Sequence, residues 1–275
     1  MRPVVSVLLP IYRPRHDYLL TAIKSVLKQH FTDFELLLIE APSDVCIDPV
    51  LLQLNDTRIR HLRFEGQASL VDQLNFGLKE AQTDFIARMD GDDWSYPERL
   101  QKQYDHMKDH PEIAVLGSQI SIMDGNDRPL GYREYPTEPT AVCRALKRFN
   151  ALAHPSVMFR KEPIQAVGGY CYRDYPANED YELWCRLTQR GHQLANLSDT
   201  LLRYRIHAGA MKSEKLKNIL RGTRLVKRHY YGSTMNTAEW VRYCAEGALL
   251  NLPGWAIMQL FQRSQYCQES PKCTD

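Results

Sequence analysis

The chain opens with short, unbroken apolar runs separated by stretches of helical spacing. Val4–Leu9 reads as a strand buried on both faces, Phe34–Ile39 as the second strand and Ile59–Phe64 as the third. Leu20, Ile23 and Leu27, and later Leu70, Leu74, Leu78 and Ala81, recur every three to four residues, as on amphipathic helices. Phe85-Ile86-Ala87-Arg88-Met89 supplies a fourth strand. This alternation predicts an α/β architecture: a mostly parallel sheet with right-handed crossovers and helices on both faces. Such sheets bind ligands beyond the carboxyl ends of their strands. Pro10-Ile11-Tyr12, Glu40 and Asp90–Asp93 all fall there.

Beyond residue 110 the pattern is less regular. Ile113–Ile122 reads as a strand, Asp124-Gly125-Asn126-Asp127 as a turn, and Pro129–Glu134 as the return of a short hairpin. His154–Phe159 is a further strand. Gly168-Gly169-Tyr170 through Pro176 reads as a loop whose glycines can act as hinges. A helix opens at Asn178-Glu179-Asp180 with Leu183, Trp184 and Leu187 toward the core. The last sixty or so residues read as helices, Ala238–Leu250 and Gly254–Gln262 among them.

The sharpest chemical feature is Asp90-Gly91-Asp92-Asp93. Ser95 and Glu98 have capping-box spacing, Pro97 follows, and Leu100, Tyr104 and Met107 keep a helical period, which predicts a helix directly after the acidic turn. Carboxylates crowded at the end of a buried strand repel unless a cation lies among them. A hard divalent ion, Mg²⁺ or Mn²⁺, shared with substrate phosphates fits that requirement. A solvated acidic turn is the plain alternative, which the strand and helix on either side disfavour. An EF-hand is excluded, because Trp94, Ser95 and Gln101 stand where that loop needs an oxygen ligand, Gly and Glu. His106 and His110, four apart, read as surface histidines near a helix end, since Met107 stands where a zinc-protease motif has Glu.

With 275 residues, 44% hydrophobic and 25% charged, the chain has an ordinary globular composition, and a net charge of +2 argues against nucleic acid as partner. Nine basic residues cluster between Arg203 and Arg228, and the apolar Leu249–Trp255 and Leu260-Phe261 follow. Together they suggest a peripheral contact with the anionic inner face of a membrane. Seven scattered cysteines and no secretory signal point to reduced thiols in a cytosolic protein. No apolar run approaches the roughly 18 residues needed to span a bilayer.

An ordered set of segments then resembles the family 2 glycosyltransferases of the GT-A fold, the small bacterial type that builds surface polysaccharides such as O-antigen and capsule. The segments are Val5–Tyr12, Phe34–Ile39, Asn75-Phe76-Gly77, Ile86–Asp93, His154–Arg160, Gly168-Gly169-Tyr170, Glu179–Trp184 and Tyr204–His207, covering about the first 210 residues. The resemblance implies a Rossmann-like GT-A domain with a nucleotide-sugar-binding half over 1–110, an acceptor half over 111–210 and a C-terminal helical appendage over 211–275. It also implies inverting, Mn²⁺- or Mg²⁺-assisted transfer from a nucleotide diphosphate sugar to a hydroxyl of a glycan or polyprenyl-diphosphate-linked acceptor. Carried over, Asp92 with Asp90 binds metal. Pro10, Ile11, Tyr12, Glu40, Asp90 and Gly91 line the nucleotide, and Asp180 is the general base with Glu179 as runner-up. His154, Trp184 and His207 face the acceptor.

A carboxylate with a reference pKa of about 3.9 is ionised and ready near neutral pH. Glu40-Ala41-Pro42-Ser43-Asp44 replaces the family's usual paired aspartates and Gly-Ser, and Arg13 stands where Asn is common. UDP is the favoured carrier, with GDP and dTDP open. The altered residues keep a second reading alive, a nucleotide-sugar-binding protein with impaired catalysis. A nucleotidyltransferase is disfavoured because Pro10–Pro14 contains no glycine for a phosphate loop.

Overall fold

The computed structural model describes residues 3–66, 69–171, 175, 177–206, 213–253 and 256. Among these residues the order is β1 (Val5–Ile11), α1 (His16–Leu27), β2 (Phe34–Glu40), α2 (Asp48–Leu51), β3 (Ile59–Arg63), α3 (Leu70–Glu80), β4 (Phe85–Arg88) and β5 (Trp94–Ser95). There follow α4 (Arg99–Asp109), β6 (Ile113–Met123), β7 (Pro129–Arg133), α5 (Pro139–Leu146), β8 (Met158–Arg160), α6 (Lys161–Ala166), α7 (Glu179–Gln189), β9 (Gln193–Arg205), α8 (Ser213–Tyr231) and α9 (Thr237–Leu249).

The strands form one sheet in the order β3-β2-β1-β4-β8-β6-β9-β5, with β7 paired to β6. The first four run parallel, as the strand–helix alternation predicts. Beyond β4 the sheet is mixed: β8 is antiparallel to β4 and to β6, whereas β9 runs parallel to β6. Every residue of β1 is buried, because helices cover both faces. One core cluster joins β1 and β2 to α1 and α4, and the other lies on the opposite face under α3, α5 and α7. This is the α/β arrangement of the GT-A fold.

Several local expectations need correction. The buried stripe of α1 is Leu19, Ile23 and Val26, with Leu20 and Leu27 only partly covered at its margin. Ser95 does not open a helix. With Trp94 it forms a short strand against Leu202 and Arg203, and its Oγ accepts from Gln29 Nε2 at 3.1 Å. Helix α4 starts at Arg99, and Gln29 serves its first turn instead, accepting from Leu100 N at 2.9 Å.

His154-Pro155-Ser156 is a 3₁₀ turn rather than the start of a strand, and β8 begins only at Met158. Gly168 and Gly169 have φ of 92° and 70°, values natural to glycine, but they are pinned rather than hinged. Gly169 O accepts from Arg186 Nη2, and both backbone groups of Tyr170 bond the Asn75 amide. The C-terminal α9 agrees with the expected Ala238–Leu250 helix. Of Gly254–Gln262, only Ala256 is among the described residues.

Candidate active site

The carboxyl ends of β1 and β4 and the start of α3 surround a cleft of about 470 Å³. Pro10, Ile11, Tyr12, Asp90, Gly91 and Asp92 all line it. Gln73 reaches in from α3, its Oε1 accepting from Ile11 N at 3.1 Å, and so fixes the end of β1. Ser69 caps α3 by accepting from Asp72 N, which sets Gln73 on that first turn. Arg13 and Arg15 add cationic groups to the mouth. Glu40 stands at the end of β2 as expected, yet it is not among the cleft-lining residues. Parallel pairing sets it opposite Arg63, and its carboxylate lies 2.8 Å from His61 Nε2.

Asp90, Asp92 and Asp93 each offer a carboxylate oxygen, and these oxygens lie within 4.8 Å of one another. Asp93 is buried. Its Oδ1 accepts from Arg205 N at 2.8 Å, and its Oδ2 has no hydrogen-bond partner. Burial, reinforced by the neighbouring carboxylates, raises the pKa of Asp93 well above the usual range, and burial raises that of Asp90. A compact, oxygen-only set with an orphaned buried acceptor suits a hard divalent cation, which would relieve this crowding.

Two arginines hold the acidic turn. Arg88 lies in the core at the end of β4, its Nη1 2.6 Å from Asp90 Oδ2 and its Nε without a hydrogen-bond partner. Arg205, at the end of β9, donates through Nε to Asp92 O at 2.7 Å and through Nη1 to Asp124 O. It also pairs with Asp127 and packs over the Tyr18 ring. Asp127 itself sits at φ 63°, so the turn after β6 is shaped to meet this guanidinium. Arg99 supports the strand from below by donating to Arg88 O at 2.7 Å. Sequence reasoning assigned none of these arginines to the site.

The second acidic group opens α7. Asp180 Oδ1 accepts from Tyr181 N and its Oδ2 from Asn150 Nδ2, both at 2.7 Å. Burial raises Asp180, so the expectation of an ordinary carboxylate does not hold here. Burial and the Asp180 charge together push Glu179 up to about 7. Asp180 in turn raises Asp90, and the Arg88 charge lowers Asp90, Glu179 and Asp180 alike. The acids of the β4 turn and those that open α7 thus lie around one buried cation.

The expected acceptor-side residues fare differently. Trp184 is fully buried and meets His154 edge-on, so it packs the core and offers an acceptor no surface. His154 is 6% exposed, with Nε2 2.8 Å from Tyr170 Oη. Burial and the nearby Arg88 charge hold His154 well below its usual pKa, so it is neutral. His207 lies outside the described residues. Part of the expected basic surface is consumed internally. Arg205 and Lys227 are buried, and Arg224 stacks on Tyr243. No helix among the described residues is long and apolar enough to cross a membrane.

The profile described as glycosyl transferase family 2 matches residues 6–168. The O-antigen biosynthesis glycosyltransferase WbnJ of Escherichia coli is 34% identical over 212 residues, 74% of this chain and 80% of its own length. The Escherichia coli UDP-Gal:alpha-D-GlcNAc-diphosphoundecaprenol beta-1,3-galactosyltransferase is 27% identical over 206 residues, covering 73% of each chain. Among solved structures, S. aureus TarS 1-349 in complex with UDP-GlcNAc shares the fold with a TM-score of 0.63. The identity is 16%, over 90% of this chain and 81% of that one.

Proposed function

This chain belongs to glycosyl transferase family 2, and from that premise we propose that it moves a sugar from a UDP-linked donor to a hydroxyl of a lipid-linked or growing glycan in bacterial surface polysaccharide synthesis. The observation that carries this reading is the grouping of Asp90, Asp92 and Asp93 with Glu179 and Asp180 around buried Arg88, beside a cleft at the carboxyl ends of the strands. The choice of UDP and of a lipid-linked acceptor is supported by the name of the galactosyltransferase relative.

In this reading the nucleotide lies along Pro10, Ile11, Tyr12 and Gly91. Asp92, with Asp90, would hold Mn²⁺ or Mg²⁺, whose charge when bound offsets that of the departing diphosphate. Asp180 takes the acceptor's hydroxyl proton. The hydroxyl oxygen bonds the anomeric carbon as the bond to the diphosphate breaks, with inversion. Asn150 and Tyr181 N fix the rotamer of the Asp180 carboxylate, leaving a lone pair for the acceptor. Glu179, held at about 7, is only partly ionised near neutral pH, which keeps a full second negative charge away from Asp180.

A peripheral membrane contact rests on the exposed Leu225, Trp240 and Val241, with exposed Arg221 and Arg242 on the same two helices. Co-sedimentation with anionic vesicles at low salt tests it, and absence of binding removes it.

The experiment for the main reading is nucleotide release from UDP-, GDP- and dTDP-sugars, with Mn²⁺ or with chelator, in wild type and Asp180→Asn. Metal-dependent turnover of one donor class is expected. Asp180→Asn should keep UDP affinity and lose about 10²–10⁴-fold in turnover. Equal rates would remove Asp180 as base. Nucleotide binding with no turnover of any donor would favour the catalytically impaired binding protein.

A further inference from the structure

Helix α8 falls in the segment that the sequence set apart as an appendage, yet it grips the helix that carries Asp180. Asn178 is the N-cap residue of α7, but its side chain makes no capping hydrogen bond. It is turned to α8 instead. Thr223 Oγ1 donates to Asn178 Oδ1 at 2.9 Å, and Asn178 Nδ2 donates to Ile219 O at 3.1 Å. Ile219 and Thr223 are one turn apart, so the amide is held at both ends by a single turn of α8. One turn further along α7, the buried Glu182 carboxylate accepts from the Tyr230 hydroxyl and from Arg186.

At 100° per residue, Asn178 and Glu182 share one face of α7, and Asp180 points about 200° away from Asn178. The contacts with α8 therefore set where the first turn of α7 lies without touching the Asp180 carboxylate. Ala177, just before the cap, has φ 55°, a conformation rare without glycine that persists only where its surroundings enforce it.

We propose that α8 is a brace for the base-bearing turn, with Asn178, Thr223 and Tyr230 as positioning residues for sugar transfer. This rests on the reading of Asp180 as the base. Without the brace the Asn178 side chain is free to cap its own helix, Ala177 can relax, and Asp180 shifts from the reacting hydroxyl. Displacements of that scale are felt in turnover and not in donor binding, because α8 makes none of the cleft.

The test uses full-length Thr223→Val and Tyr230→Phe, singly and together, with Thr223→Ser as the conservative control. The hydroxyl-free variants should lose about tenfold or more in kcat, with the donor KM and the UDP–Mn²⁺ Kd held within about twofold. Thr223→Ser should keep the wild-type kcat. An unchanged kcat in the double variant overturns the proposal, and so does a Ser variant as impaired as Val. Asp180→Asn in the same assay separates the two failures. If it turns over donor like wild type, the base reading fails by itself. If it is inactive while the hydroxyl-free variants are not, the brace alone fails. Should wild type release no nucleotide, hydrogen exchange at the amides of 179–182 decides: faster exchange in Thr223→Val than in Thr223→Ser is expected, and equal exchange overturns the brace.

Discussion

The guanidinium of Arg88 and the carboxylate of Asp90 form an ion pair of 2.6 Å in which the arginine side chain is 4% exposed and the aspartate 28%. The cation is sealed in the core while its anion borders the cleft. An arginine so placed can neutralise acids on both sides of the site without competing for substrate. Removing one partner of a buried pair leaves the other charge uncompensated, which costs more than the pair contributes.

Arg88→Met is expected to destabilise the fold by about 3–5 kcal/mol. The loss should be larger at pH 8 than at pH 5. Without the cation, Asp90, Asp93 and Asp180 rise further in pKa, so the folded state binds protons more tightly than the unfolded state and stability falls as pH rises. Denaturant unfolding at the two pH values measures this, and equal losses would show that Arg88 only fills space.

Glu179, held at about 7 instead of 4.5, makes a pH-dependent contribution of the same sign. Its proton favours the folded state fully below its unfolded pKa, and that advantage disappears as pH rises from about 4.5 through 7. Glu179→Gln should therefore be more stable than wild type at pH 8 and close to it at pH 4. The acid limb of kcat/KM should also move to lower pH, since the Asp180 carboxylate no longer has a like charge beside it. A limb that stays in place would separate Glu179 from the titration of Asp180.

Arg205→Lys removes a planar fork that reaches Asp92 O, Asp124 O and Asp127 together. A single ammonium cannot reproduce that geometry. The acidic turn should loosen, with UDP–Mn²⁺ affinity weakened by about tenfold or more and stability lowered by roughly 2–3 kcal/mol. Calorimetric titration of UDP with Mn²⁺ reads the first effect. Unchanged affinity would mean that the turn keeps its shape without the clamp.

Gly77→Ala tests the packing that carries α3, and with it Gln73, to the cleft. A Cβ there would lie 2.4 Å from Ile39 Cδ1 and 3.2 Å from Leu8 Cδ2. Alanine is the better helix former by about 1 kcal/mol, yet overpacking of this kind costs about 1–3 kcal/mol. A lowered Tm with weaker nucleotide binding is expected. A raised Tm would show that the interface gives way freely.

Of the first four strands, β1, β2 and β4 were legible as nearly continuous apolar runs, and the half-buried β3 by its place in the strand–helix alternation. The acidic turn was legible by its place after the last of them. Arg88 also left a trace, as a lone charge in the apolar run Phe85–Met89, since a buried charge demands a partner. What that partner is depends on the turn that follows. Strand β9 was missed because its burial alternates irregularly and includes Asn196, Asp199 and Arg203. Ser95 misled for a related reason. Its local spacing meets the capping rule, but Leu202, about a hundred residues away, claims its backbone. His154 and Trp184 carry chemistry in their type alone, and burial decides that they pack against each other. Asp180 rose above its role as a first-turn helix carboxylate only through family resemblance, since its Asn150 partner is thirty residues away in sequence.

Asp93 meets Arg205 across 112 residues of chain. At about 5–20 residues per second, a ribosome needs roughly 6–22 s to add that length. For that interval the carboxylate cluster has emerged without the backbone amide that accommodates its buried member. The nascent N-terminal half therefore holds a cleft outline whose acidic turn is still unclamped. The turn is clamped only late, when the last strand pairs beside β6 and brings Arg205 to it.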